Sequence, residues 1–426
     1  MDGHKPLWVP TQTQINDSLV WQFMTYVSKK YEYPMKGYAE LYEWSVQEKE
    51  KFWSSVWDFG GVVGEKGKKI LVNGDDIERA VWFPEAQLNF AENLLRQRTD
   101  TPAIYFQAED RITSELSWKQ LYDQVASVAE WLKSAGVVRG DRVAGLLPNM
   151  AETIVAMLAS ASLGAVWTST SPDFGKESVI DRFGQTTPKI LFTVDGYFYN
   201  GKVIDIRQKV SGIIKELPTI EQTVVVRLAG VEGDLPGLEW SEVLSKAGKE
   251  EIDFQPMGFN DPIYILYSSG TTGKPKCITH KIGGVLLQHL KELQLQSDVR
   301  KGDRIFYFTT CGWMMWNWLV SGLACGATLV LYDGSPFYPD GNVLWDYAER
   351  VGATLFGTSA KYIDTLKKQG IRPKDNHALS SLRTVCSTGS VLVPESFDFV
   401  YEAVKEDICL ASISGGTDIV SCFVLG

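Results

Sequence analysis

The sequence predicts an α/β protein with mostly parallel sheets behind a helical, tryptophan-rich extension, and three observations carry that expectation. From Ala103 onward, short apolar runs alternate with amphipathic helical stretches, the pattern of right-handed βαβ units. The first hundred residues hold Trp8, Trp21, Trp44, Trp53, Trp57 and Trp82 among charged, helix-favouring residues. The 426 residues are 44% hydrophobic and 12% aromatic with 22% charged, enough apolar surface for ordered cores in two or three units.

Taken in order, the extension reads as helices packed on a larger body, although Trp44, Val46, Lys49, Phe52 and Trp53 make only a partial helical stripe. The pattern changes after Thr99-Asp-Thr-Pro102. Ser117 with Gln120 forms a capping box, and Trp118, Leu121, Tyr122, Val125, Ala129 and Leu132 recur at helical spacing until Gly136 stops the run. A strand over 142–147, a small-residue helix over 152–163 and a strand over 165–169 follow. Further strands are expected at 189–194, 223–227, 263–267, 304–308, 327–332, 354–357 and 384–387. The polar stretch 230–261 is the one plausible joint. It divides the chain after an extension over residues 1–100 into subdomains of about 101–240 and 260–426.

Composition excludes several function classes. A net charge of -10 argues against a surface that tracks nucleic-acid phosphates or an anionic membrane, so any phosphate must be held locally. The six cysteines are irregularly spaced and lack a C-x-x-C pair, and there are four histidines; reduced thiols in a cytosolic core fit better than disulfides or zinc. No apolar signal region follows Met1. The uncharged stretch 305–332 passes a crude length test for a membrane span, but Thr309, Thr310, Gly312, Asn317, Ser321, Gly322 and Gly326 divide it into strand, turn, helix and strand. The apolar run Ile419-Val-Ser-Cys-Phe-Val-Leu-Gly426 is expected to lead into further sheet, as in an incomplete or alternatively ended chain.

The strongest chemical signal is Ile265-Leu-Tyr-Ser-Ser-Gly-Thr-Thr-Gly-Lys-Pro-Lys276, an apolar strand followed by a loop of hydroxyls, glycines and lysines. Glycines let backbone N–H groups approach phosphate oxygens, hydroxyls donate to them, and a lysine adds a point charge. It is not a Walker A loop: Ser268 and Pro275 stand where that pattern needs Gly and Ser/Thr.

This loop resembles the signature Tyr-(Ser/Thr)-(Ser/Gly)-Gly-(Ser/Thr)-Thr-Gly-x-Pro-Lys of the adenylate-forming superfamily. The Trp-rich extension with Asn89-Phe-Ala-Glu-Asn-Leu-Leu95, Ser171-Pro-Asp-Phe-Gly175, Cys311-Gly-Trp-Met-Met-Trp316 and Ser387-Thr-Gly-Ser390 is similar to the short-chain acyl-CoA synthetase branch. Gly312-Trp-Met-Met-Trp-Asn-Trp318, Tyr332-Asp-Gly-Ser-Pro336 and Ser412-Ile-Ser-Gly-Gly-Thr-Asp418 resemble its acetoacetate-activating members. The resemblance runs from about residue 35 to the end. It implies the large N-terminal domain of adenylate-forming enzymes, with stacked sheets and helices between and outside them. It also implies ligation of acetoacetate to CoA through an acyl adenylate, with ATP, Mg²⁺ and CoA, in cytosolic lipid or ketone-body metabolism, with small-molecule substrates, no nucleic acid and no membrane span.

By that resemblance Ser268, Thr271, Thr272, Gly273, Lys274 and Lys276 serve the outer phosphates. Ser414, Gly416 and Thr417 serve the α-phosphate, Asp418 serves the metal, and Gly389, Ser390 and Val391 lie against adenine. Lys274, Thr417 and Asp418 are the expected catalytic residues. Trp313, Met314, Met315 and Trp316 are expected as apolar walls of the acyl pocket, where ordinary core packing is the equal alternative for any one of them. Gly415 stands where acetate-activating relatives place a Trp, which leaves room for a longer acid. Lys361 would meet the acid's polar group and Lys202 the CoA phosphate, against the alternative of solvated lysines. The family's ribose-binding aspartate, its C-terminal lid and the lid's adenylation lysine have no counterpart in the sequence, so residues 1–426 alone are expected to be inactive. Two alternatives stand: a different short-chain acid, or a non-catalytic form that binds only nucleotide or a partner.

Overall fold

The computed structural model describes residues 6–246, 251–268 and 273–426. Two seven-stranded sheets form the body. The first runs in the order Leu238–Glu239, Gln222–Val226, Ile190–Val194, Arg142–Leu146, Val166–Thr170, Pro262–Tyr267, Cys277–Lys281. The second runs Cys409–Ser412, Thr384–Thr388, Leu355–Ser359, Arg304–Tyr307, Thr328–Asp333, Pro102–Ala108, Ile112–Ser117. Each sheet is parallel except for its last strand. Strands Val166–Thr170 and Ile190–Val194 are buried at every residue, as parallel strands covered on both faces must be.

Helix Trp118–Ser134 forms as expected, with both halves of the Ser117–Gln120 capping box in place and Leu121, Val125, Val128 and Leu132 wholly buried. In the extension, the stripe around Trp44 and Trp53 is partial because it belongs to two helices, Tyr38–Gln47 and Lys49–Phe59, broken at Glu48 (φ -110°, ψ 47°). Phe23 sits at the centre of this layer, edge-on to Phe52 at 5.8 Å and to Phe59 at 5.3 Å. Trp57, Phe83 and Phe259 join the layer to the body. The Asn89 amide completes the join by donating to the carbonyls of Ala161, Ser162 and Gln255.

One expectation needs correction. The chain does not divide into subdomains of about 101–240 and 260–426, because the sheets exchange strands across that joint. Pro102–Ala108 and Ile112–Ser117 belong to the second sheet, while Pro262–Tyr267 and Cys277–Lys281 close the first. The pairing of Leu329 with Ile104 and Leu331 with Phe106 buries all four side chains. Burial of that edge, not neighbourhood in sequence, decides the assignment. Nor is 230–261 a bare linker: Leu238–Glu239 is an edge strand, and Trp240 packs edge-on to Phe192 at 6.1 Å. The apolar stretch resolves into strand Arg304–Tyr307, helix Met314–Val320, a 3-10 turn and strand Thr328–Asp333. No helix among the described residues is long and apolar enough to cross a membrane.

The two sheets are clasped by Glu109, fully buried in the left-handed region (φ 44°) just beyond strand Pro102–Ala108. Its carboxylate accepts the backbone N–H groups of Asn200 (2.6 Å) and Gly201 (2.9 Å), in a hairpin beside the first sheet, and of Ser335 (2.9 Å), beyond the second. Near it, burial and the charges of Asp173 and Glu109 push the Asp333 carboxyl up to about 7, against a backbone bond from Asn149 that favours the charged form.

Glu109→Ala strips the acceptor from three backbone donors at once and is expected to lower the unfolding free energy by about 3 kcal/mol or more in urea titrations. A loss below about 1 kcal/mol would show that water replaces the carboxylate. Asp333 keeps its proton in the folded state up to about pH 7 but loses it near 3.8 when unfolded. The folded state therefore binds more protons between those values, and stability should fall as pH rises through that window. Asp333→Asn should flatten that slope; an unchanged slope would exonerate this carboxyl.

Candidate functional site

A cavity of about 520 Å³ opens at the carboxyl ends of strands from both sheets, where parallel α/β proteins build their sites. From the first sheet it takes Ser169, Thr170 and Tyr267, and from the second Thr388 and Gly389. Residues 312–315 and 415–417 complete much of the wall. The segments singled out as nucleotide motif, adenine loop and acyl wall therefore converge on one space. The turn at Cys311 is tied to the first sheet by Ser169 Oγ on the Cys311 carbonyl (2.7 Å) and by Cys311 Sγ on the Leu147 carbonyl (2.8 Å). Burial pushes that thiol up to about 12, so it is a structural donor and not a nucleophile.

The expected wall residues separate. Trp313 is 53% exposed at the cavity, with Met314 and Met315 beneath it as the first residues of helix Met314–Val320. Trp316 is not on the wall. It is fully buried, and its indole N–H donates to Asn149 Oδ1 at 3.0 Å, so it is the core member of the cluster. Gly415 lines the cavity, yet the added-volume argument fails for it. A Cβ there would come within 2.1 Å of the Ser421 carbonyl oxygen and 2.6 Å of Cys422 Cα across the hairpin. The glycine is required by the close approach of strands Ser414–Gly416 and Ser421–Val424, and an indole could enter only if the hairpin moved.

Other expected residues lie apart from the cavity lining. Ser268 N–H donates to the Lys276 carbonyl at 3.0 Å, which pairs the two ends of the segment expected to hold phosphate. Thr271 and Thr272 lie outside the described residues. Gly273 and Lys276 are exposed; the Lys274 ammonium, 74% exposed, stands 3.2 Å from Asp181. Ser390 and Val391 are exposed beyond Gly389, as are Ser414 and Asp418 beside the lining residues of their hairpin. Lys361 is the second residue of helix Ala360–Gln369 and Lys202 opens strand Lys202–Asp205, both facing solvent. No cluster of three or more metal-ligating side chains occurs among the described residues. Asp418 alone fits a Mg²⁺ whose other ligands are triphosphate oxygens and water, and does not fit a protein-caged ion.

Sequence reasoning passed over helix Lys176–Thr186. Asp181 meets Lys274, and Gln185 donates to the Pro275 carbonyl at 2.9 Å, so this helix holds residues 274 and 275. On the same helix Arg182 lines the cavity, its guanidinium 4.8 Å from the Phe174 ring centre and 5.7 Å from that of Tyr267. Burial lowers its pKa, and burial also pushes the Tyr267 phenol up to about 12, with Thr168 and Thr186 hydroxyls beside it. The spacing Ser178, Asp181, Arg182, Gln185 was the available signal: one helix face, polar throughout and mixed in charge.

Comparison with known proteins agrees with this geometry. The family described as AMP-binding enzyme matches residues 90–420, and the acetyl-coenzyme A synthetase N-terminus matches residues 38–94. An acetoacetyl-coenzyme A synthetase of Rhizobium meliloti (strain 1021) is 51% identical over all of this chain and 66% of its own length. An acetoacetyl-CoA synthetase of Danio rerio is 42% identical over 99% of this chain and 64% of its own. A solved structure, acetoacetyl-CoA synthetase from Streptomyces lividans, superposes with a TM-score of 0.93 at 42% identity, over 99% of this chain and 66% of that one. The chain thus spans about two thirds of the length of these relatives. On the match over residues 90–420, the chain belongs to the family of AMP-binding enzymes.

Proposed function

We propose that this chain carries the nucleotide and acyl sites of an enzyme that joins acetoacetate to CoA in the cytosol, through an acetoacetyl adenylate. The observation that supports it most is the convergence of 312–315, Gly389 and 415–417 on one cavity at the strand ends. The relatives' names point to the same acid.

In the first step a carboxylate oxygen of the acid bonds to the α-phosphorus of ATP, and pyrophosphate departs with the electrons of the broken P–O bond. In the second the CoA sulfur bonds to the acyl carbon, its proton is lost to solvent, and AMP departs. An anion must approach a polyanion, so the site needs cationic and N–H donors around the phosphates and little water around the anhydride. Lys274, Lys276, Ser268 and the loop glycines are assigned to the outer phosphates, together with Thr271 and Thr272. Thr417, Ser414 and Gly416 are assigned to the α-phosphate, and Gly389, Ser390 and Val391 to adenine. Lys274 leaves its exposed pair with Asp181 to do so, at small cost, since such pairs are worth under about 1 kcal/mol. Bound Mg²⁺ supplies neutralisation of triphosphate charge, and Asp418 is the carboxylate that would hold it. Trp313, Met314 and Met315 form the apolar wall, and Trp316 supports it through Asn149. Lys361 and Lys202 are assigned to the acid's polar group and to CoA; both would need substrate or a moved segment to reach the cavity.

Lys274→Ala removes a charge-assisted bond worth about 1.5 to 3 kcal/mol and is expected to weaken MgATP binding about tenfold or more in calorimetry. Unchanged affinity would take the loop out of the site. A protein extending this chain with the segment its relatives carry should prefer acetoacetate to acetate by kcat/KM, and equal values would overturn the substrate assignment. Residues 1–426 by themselves should consume no CoA in the same assay. Equal rates for the short and extended proteins would show that the additional third is dispensable.

A further inference from the structure

Helix Ile282–Lys291 does not end in an ordinary cap. It widens into a π-helical turn, Glu292–Gln296, in which the Ser297 N–H reaches back to the Glu292 carbonyl at 3.0 Å. Such turns are costly and collect at functional sites. Glu292 is fully buried. Its Oε1 accepts the Ser421 hydroxyl (2.5 Å), the Cys422 N–H (3.0 Å) and the Gln288 amide (3.0 Å), and its Oε2 accepts the Trp318 indole N–H (3.0 Å).

His289 lies one position after Gln288 and is also fully buried, and burial lowers its pKa against the pull of Glu292 and the Val420 carbonyl. The Val420 carbonyl, 2.7 Å from Nε2, can only accept, so Nε2 carries a proton, while Nδ1 stands 2.8 Å from the Ser321 hydroxyl.

The partners fall into two groups. Val420, Ser421 and Cys422 belong to the hairpin whose residues 415–417 line the cavity. Trp318 and Ser321 belong to helix Met314–Val320 and the turn after it, and that helix begins with the cavity residues Met314 and Met315.

We propose that Glu292 is a positioning residue that couples the nucleotide-facing hairpin to the acyl-facing helix, with His289 as its second tie. A buried carboxylate is tolerated only while its donors are supplied. Loosening either wall leaves charge unsatisfied and raises the cost of holding the other, so the two walls hold or yield together. This rests on reading the cavity as the nucleotide and acyl site, but the coupling itself can be measured without turnover.

The test uses Glu292→Gln and Trp318→Phe in the chain as it is, with amide hydrogen exchange over 414–424 and 313–320, helix Trp118–Ser134 as internal control, and calorimetry with MgATP. An amide at 292 has one acceptor oxygen, so one wall loses its partner. Exchange is expected to rise about tenfold or more in both segments and not in the control helix, and MgATP affinity to fall about fivefold or more. The indole N–H of Trp318 bonds Glu292 and not the hairpin, yet Trp318→Phe should loosen 414–424 as well; it also keeps the test sound if Glu292→Gln fails to fold. Loosening confined to 313–320 in Trp318→Phe, or MgATP affinity within twofold of the unsubstituted chain in both variants, would overturn the proposal. If the unsubstituted chain itself binds no MgATP, the nucleotide reading fails, and the exchange pattern still decides the coupling.

Discussion

A carboxylate taken out of water must find its full complement of donors, and the placement of Glu109 turns that constraint into the join between the two sheets. Its three backbone donors come from segments beside different sheets, so neither can slide without stranding charge. The cavity depends on that fixity. Thr170 and Tyr267 project from one sheet and Thr388 and Gly389 from the other, and they share a wall only while the strand ends stay in register. Glu292 repeats the device one layer further on, with side-chain donors added to a backbone one.

Much of the fold was legible in the sequence because its signals are local. The Ser117–Gln120 box, the stripe from Trp118 to Leu132 and the apolar strands each need only a few neighbouring residues to declare themselves. Pairing partners are another matter. Nothing near Pro102–Ala108 says that its neighbour is Thr328–Asp333, and the apolar Ile104 and Phe106 would suit either sheet. Glu48 gives no break signal of its own, so two helices read as one poor stripe.

The site was legible as segments and not as individual contacts. The resemblance singled out 312–316 and 414–418, and parts of both line one cavity, but Trp313 and Trp316 are the same amino acid three positions apart, and only the presence of Asn149 decides which one is core. Gly415 shows the converse limit. Absence of a side chain reads as free volume in a sequence, whereas across a tight hairpin it is the condition for two backbones to meet. Arg182, Glu292 and His289 carry no motif at all; their meaning comes from aromatic rings, indoles and carbonyls brought from elsewhere in the chain.

The exchange of strands between the sheets also fixes an order of events during synthesis. Thr328 Oγ1 donates to the carbonyl of Pro102, 226 positions earlier in the chain. As the chain leaves the ribosome, the strands of the first sheet up to Lys281 are complete while Pro102–Ala108 still has one bare side, paired only with its own hairpin partner. Domains otherwise tend to form from the N-terminus onward, and a naked strand edge attracts other chains. From the completion of Ser117 until Thr328–Asp333 is made, this protein carries an open seam that its own later half must close, a long-range pairing of the kind that slows folding.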